Sequence, residues 1–137
     1  MGDNKLITIL GDIGRGVLLH EEKIRNKFGL SQAEYKGILC IEEGEEINCQ
    51  DFSRRLALSV SRGSRIVDRL CGKKYIGRTD CQSDRRCKNI WLTREGIEIR
   101  RLITEEIQNI DEALASGYPQ AKIMLLKSEL KRLSQKL

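Results

Sequence analysis

The apolar residues of this chain recur at three- and four-residue steps for most of its length, and that period breaks between Tyr75 and Leu92. The regular spacing gathers side chains on one face of an α-helix. In the break, Tyr75-Ile76-Gly77-Arg78 and Asn89-Ile90-Trp91-Leu92 flank a polar stretch from Thr79 to Arg86, which reads as two short strands around a charged loop. The pattern therefore predicts a mainly α chain with a single small β-hairpin. Composition agrees: aromatics are 4%, Pro occurs once, and Leu, Ile, Glu, Lys and Arg abound, which favours helices over a β-sandwich. At 137 residues, 39% hydrophobic and 33% charged, the chain suits one folded domain rather than disorder or a multidomain enzyme. No apolar run approaches the ~20 residues of a membrane helix, and the N-terminus lacks a secretion pattern, so the expectation is a soluble, cytoplasmic protein without a membrane partner.

Taken in order, Leu6, Leu10, Ile13, Val17, His20, Ile24 and Phe28 mark one face of a long amphipathic helix. Gly11, Gly14 and Gly16 interrupt it, each at a cost of roughly 0.5–1 kcal/mol relative to Ala, which suits close helix packing or a kink. Ser31-Gln32-Ala33-Glu34 is a capping box that starts a second helix running to about Glu43. After Gly44, the short Ile47-Asn48-Cys49 lies between helices, and Asn48 caps a helix from Asp51 to Leu58. Ser59 caps the next, to about Cys71, and the tight connection between these two makes a helix-turn-helix. Beyond the hairpin, Thr93 caps a helix carrying Ile103, Ile107, Ile110 and Leu114, which breaks at Gly117-Tyr118-Pro119. A last helix sets Ile123, Leu126, Leu130, Leu133 and Leu137 at heptad steps, the seam of helices that pair, and suggests a homodimer.

Charge is concentrated rather than spread. The whole chain carries +5, yet residues 50–101 alone carry +8, against −3 before them and 0 after. Lys and Arg gathered in this way form an electrostatic footprint for a polyanion, or else a solvated basic face. Helix, helix-turn-helix and hairpin in this order describe a winged helix-turn-helix, with the basic segment on the parts that face a duplex. On the second helix of the pair, Ser59, Ser61, Arg62, Ser64, Arg65 and Arg69 are the candidates for contact with bases and phosphates. In the hairpin, Asp84-Arg85-Arg86 lies at the wing tip, where Arg86 suits a narrow, electronegative minor groove.

The run from Leu56 to Leu70, LALSVSRGSRIVDRL, with Asp84-Arg85-Arg86 and Leu92-Thr93-Arg94-Glu95-Gly96, resembles the multiple-antibiotic-resistance regulator (MarR) family over about residues 30–101. That resemblance implies one continuous chain, residues 1–137, with a DNA-binding lobe at about 30–101 and dimerisation helices at about 4–28 and 102–137. It also implies a homodimer on a pseudo-palindromic DNA operator, and repression relieved by a small-molecule inducer or an oxidant. By the same resemblance Asp84 braces Arg86, and Gly63 stands where the family usually has an apolar or β-branched residue.

Five cysteines are many for such a chain, and their odd number argues against a structural disulfide framework. Cys40 reads as a small buried hydrophobe on a helix, and Cys49 and Cys71 as residues at helix ends. Cys81 and Cys87 bracket the wing loop beside Arg78, Arg85, Arg86 and Lys88, a setting that favours the thiolate and permits a redox switch. Metal or iron–sulfur ligation through Cys71, Cys81 and Cys87 is the rival use, although their spacing matches no established ligand pattern, so no cofactor is the expectation. His20, the sole histidine, is a candidate for a ligand pocket between dimer core and lobe, or else a satisfied core residue. With one His and no phosphate loop or nucleophile–base set, an enzyme is not expected. The competing class is a winged-helix protein-interaction module that binds no DNA.

Overall fold

The computed structural model describes residues 4–79 and 89–137. The chain divides into two compact units, residues 1–103 and 104–137.

In the first unit α1 (Leu6–Phe28) ends at Gly29, whose left-handed φ of 65° turns the chain while its N–H closes on the carbonyls of Arg25 and Asn26. Its three interior glycines neither break it nor bring a neighbour close: a β-carbon on Gly14 or Gly16 would meet nothing within 4 Å. Ile24 is the buried residue of α1, whereas Leu6, Ile13 and Val17 are each more than half exposed. The apolar face recognised in the sequence is thus open within one chain.

The capping box forms as expected at α2 (Gln32–Leu39), with Ser31 Oγ accepting from the Glu34 N–H at 3.1 Å and Glu34 Oε1 from the Ser31 N–H at 3.0 Å. The helix stops at Cys40 instead of reaching Glu43. A turn at Glu42–Glu45 diverts the chain so that Ile47–Asn48 forms a strand, β1, where the sequence suggested only a connection. Ile47 is buried there, opposite Ile90. Asn48 then caps α3 (Cys49–Arg55) through the Asp51 N–H at 2.8 Å. This helix begins two residues earlier than expected and ends three earlier, because Ala57 adopts φ 54° and the Leu58 N–H bonds to Ser53 O, turning the chain into Ser59. Ser59 caps α4 (Val60–Gly72), accepting from the Arg62 N–H at 3.3 Å.

β2 (Ile76–Arg78) and β3 (Asn89–Leu92) form the expected antiparallel pair, and β1 makes the sheet three-stranded in the order β1-β3-β2. Ile38, Ile41, Phe52, Val67, Leu70, Ile90 and Ile103 fill the core between helices and sheet. Thr93 caps α5 (Arg94–Ala115) through the Gly96 N–H at 3.1 Å, and its hydroxyl donates to Lys74 O at 2.6 Å.

The second unit holds α5 from Thr104 onward and α6 (Gln120–Ser134), separated by a turn in which Gly117 takes φ 85°. α6 buries no residue of its own, and Leu126 and Leu130 on its apolar seam are exposed. It ends before Leu137, the last position of the expected seam. No helix of the described residues is long and apolar enough to cross a membrane.

Candidate nucleic-acid interface

A helix that docks on a core with one face must present the other, and α4 divides cleanly. Gly63, Ile66, Val67 and Leu70 are buried, so at 100° per residue the outward face centres on Ser61, Arg65 and Asp68, flanked by Arg62, Ser64 and Arg69. Ser59, Ser61, Arg62, Ser64, Arg65 and Arg69 are all exposed, as their assignment to a duplex requires. Among the described residues no carboxylate lies in an ion pair with Arg62, Arg65 or Arg69. Three guanidiniums on one helix surface therefore point to solvent and to whatever anion reaches them.

How close α4 lies to α3 depends on Gly63. A β-carbon at that position would fall 1.8 Å from Ser53 Oγ and 2.8 Å from its Cβ, and Ser53 itself is buried, with its hydroxyl donating to Cys49 O at 2.8 Å. The missing side chain is what lets the two helices of the pair meet, which accounts for a glycine in place of an apolar residue.

Asp68 is the one acid on this face, and Arg78 at the end of β2 covers it, Nη1 to Oδ1 at 2.5 Å. The pair neutralises a carboxylate that would repel phosphate and ties the base of the hairpin to α4. A second link holds the C-terminal end of the helix. Lys73, the residue capping α4, donates from Nζ to Gly29 O at 2.7 Å and pairs with Glu34 Oε2 at 2.7 Å. Burial pushes the Glu34 carboxyl up, but the bonds from Lys73 and Ser31 outweigh it and hold it below its usual range. Neither pair was visible in the sequence, since ten residues separate one and thirty-nine the other.

The wing-tip candidates Asp84, Arg85 and Arg86, and the thiols of Cys81 and Cys87, lie outside the described residues. Cys71 is half-buried near the end of α4. Cys40 donates its thiol to Gly37 O at 3.2 Å, and burial, only partly offset by the charge of Arg55, pushes its pKa up to about 11. Among the described residues no group of three or more His, Cys, Asp or Glu is placed to hold a metal. His20 is exposed on α1, not enclosed as a core histidine. It does not line the open cleft of about 560 Å³ in this unit, bounded by Phe28, Tyr75, Arg94, Glu95, Ile99 and Leu102 among others.

The sequence pattern of the MarR family matches residues 30–88. Over 72 residues the chain is 36% identical to the HTH-type transcriptional regulator PapX of Escherichia coli, covering 51% of this chain and 44% of PapX. Over 123 residues it is 26% identical to the transcriptional repressor MprA of Escherichia coli K12, covering 88% of this chain and 68% of MprA. The aligned part thus spans less than half of PapX and about two thirds of MprA. Among solved structures, FabT of Streptococcus pneumoniae in complex with DNA superposes with a TM-score of 0.78 at 26% identity, covering 93% of this chain and 91% of that one.

Proposed function

From the match of residues 30–88 to the MarR family we propose that the chain is a MarR-type, DNA-binding transcriptional regulator of repressor type, which lays α4 in the major groove of a duplex. The observation that carries this reading is the division of α4 into a buried face built on Gly63, Ile66, Val67 and Leu70 and an exposed one bearing Ser61, Arg62, Ser64, Arg65 and Arg69. Arg reads guanine through two parallel hydrogen bonds, and Ser reaches bases or phosphates with less selectivity. FabT, a structural neighbour solved with DNA, supports the same use of the fold.

In its finer form, the regulator acts as a homodimer, with the open apolar faces of α1 and α6 covered by a second copy, so that two copies of α4 reach the half-sites of a pseudo-palindromic operator. In this reading Arg86 of the wing enters the adjacent minor groove, with Asp84 orienting it. Release follows either a small molecule or oxidation of Cys81 and Cys87.

The test is fluorescence anisotropy against a duplex recovered by in vitro selection with the wild-type chain, repeated over a range of salt. The expected result is an affinity that falls steeply with salt, a slope that shrinks by about one for each phosphate-contacting Arg removed, and loss of preference for the selected duplex in Arg65→Ala. Salt-independent binding, or none, would instead assign the basic face to a protein partner.

A further inference from the structure

We infer that Lys73 is a positioning residue for DNA recognition: through one ammonium group it joins the ends of three helices and sets where the C-terminal half of α4 meets a duplex. The inference rests on the DNA-binding reading above. Its basis is the arrangement around Nζ. Gly29 O, 2.7 Å away, belongs to the residue that ends α1, where carbonyls carry the partial negative charge of a helix C-terminus and favour a cation. Glu34 Oε2, also at 2.7 Å, belongs to the first turn of α2, and the other oxygen of that carboxylate is already committed to the Ser31 N–H. Lys73 itself caps α4, its own N–H closing on Arg69 O at 3.0 Å. The ends of α1, α2 and α4 are therefore joined at one ammonium group, by a hydrogen bond to Gly29 O and an ion pair with Glu34.

Arg69 stands one turn from that junction on the exposed face. The N-terminal end of α4 is fixed independently, by the Leu58–Ser53 turn and by the contact of Gly63 with Ser53. Losing the Lys73 junction leaves α4 folded and packed through Ile66, Val67 and Leu70, with its last turn no longer tied to α1 and α2. Groups that recognise a partner must be held within about 0.5 Å of their working geometry, so a modest swing at the Arg69 end is enough to lose base readout. Because α1 also carries the open apolar face, the same ammonium gives any event on α1 a direct mechanical route to the recognition helix.

Removing Lys73 alone would strand a buried carboxylate, so the variant of choice is Glu34→Gln with Lys73→Met, in which the Gln still serves the capping box and no charge is left unpaired. Each protein is titrated against the selected duplex and against a scrambled duplex of the same length, over a range of salt. The expected result is about tenfold weaker binding to the selected duplex, with scrambled-duplex affinity and the salt slope unchanged. Lys73→Arg, which keeps the charge, is expected to recover most of the loss. Selected-duplex affinity within twofold of wild type overturns the inference, as does a loss accompanied by a slope smaller by about one, which would make Lys73 a phosphate contact. Should the double variant fail to fold, Glu34→Gln alone decides, with about threefold weaker binding expected and unchanged binding overturning the inference. A wild-type chain that does not distinguish the two duplexes would defeat the DNA-binding reading itself, a result separable from failure of the Lys73 variants only.

Discussion

Gly63 faces Ser53 across the helix pair at a distance that admits no β-carbon, which would stand 1.8 Å from the serine hydroxyl oxygen. Gly63→Ala therefore forces α4 away from α3 or drives the Ser53 side chain out of its bond to Cys49 O. Overpacking of this kind costs about 1–3 kcal/mol, and urea unfolding is expected to show a loss in that range. Adding Ser53→Gly takes away the obstructing side chain, leaving only the α-carbon at 3.2 Å, and is expected to recover part of the loss. A double variant no more stable than Gly63→Ala would mean that the contact is not the cause.

Asp68 and Arg78 form an exposed pair, so their contribution to stability is at most ~1 kcal/mol and their effect on binding is the larger one. Asp68→Asn removes a negative charge from the centre of a basic surface and with it the ion pair to Arg78. Affinity for a scrambled duplex is expected to rise about threefold at low salt, with a salt slope steeper by up to about one. Anisotropy titrations at three salt concentrations decide it, and weaker binding would show that Asp68 contributes a favourable contact of its own.

What the sequence discloses here is what lies within a few residues. The capping boxes and caps at Ser31, Asn48, Ser59 and Thr93 were readable because each acts on an N–H three residues on, and all four form. The candidates on α4 followed from its place as the second helix of the pair, and all six are exposed. By contrast, α2 ends at Leu39 and not near Glu43 because Ile47, far along the chain, finds its cover beside Ile90, and a two-residue strand is too short to show a period. Gly63 looked out of place until Ser53 was seen against it. The Lys73–Glu34 and Asp68–Arg78 pairs depend on which helix ends converge, and no local pattern records that.

The Glu34 carboxyl is held below its ordinary value of 4.5, since burial raises it less than the bonds from Lys73 and Ser31 lower it. A carboxyl whose folded pKa is depressed contributes stability that is complete above its unfolded pKa and is lost as pH falls through the folded one. Glu34→Gln is accordingly expected to be less stable than wild type at pH 7, with the gap closing as pH drops below about 4.5. Urea unfolding at several values from pH 3 to pH 7 measures it. A gap that widens with acid would contradict the sign.

Cys40, with a pKa pushed up to about 11 by burial and its thiol donating to Gly37 O, is almost wholly protonated at pH 8. Thiolates, not thiols, react with alkylating agents and oxidants. Mass-spectrometric mapping after brief iodoacetamide treatment of the native protein is expected to find Cys40 unmodified, and modified only after unfolding. Rapid native labelling of Cys40 would bring it into the set of candidate redox sensors, which here comprises Cys71, Cys81 and Cys87.

Gly14 and Gly16 inside α1 disfavour the helix and earn no contact within a single chain, since a β-carbon at either would meet nothing within 4 Å. Beside them Ile13 and Val17 are exposed at 51% and 57%, an apolar surface that a second copy would cover in the proposed homodimer. If the glycines let a partner helix approach closely, Gly14→Ala with Gly16→Ala makes a better isolated helix but a poorer interface. Sedimentation velocity at low micromolar concentration is expected to show the variant shifted toward monomer relative to wild type. An unchanged dimer with a higher melting temperature would mean that no close approach occurs at these positions, because the substitutions would then add only helix propensity, about 1 kcal/mol each.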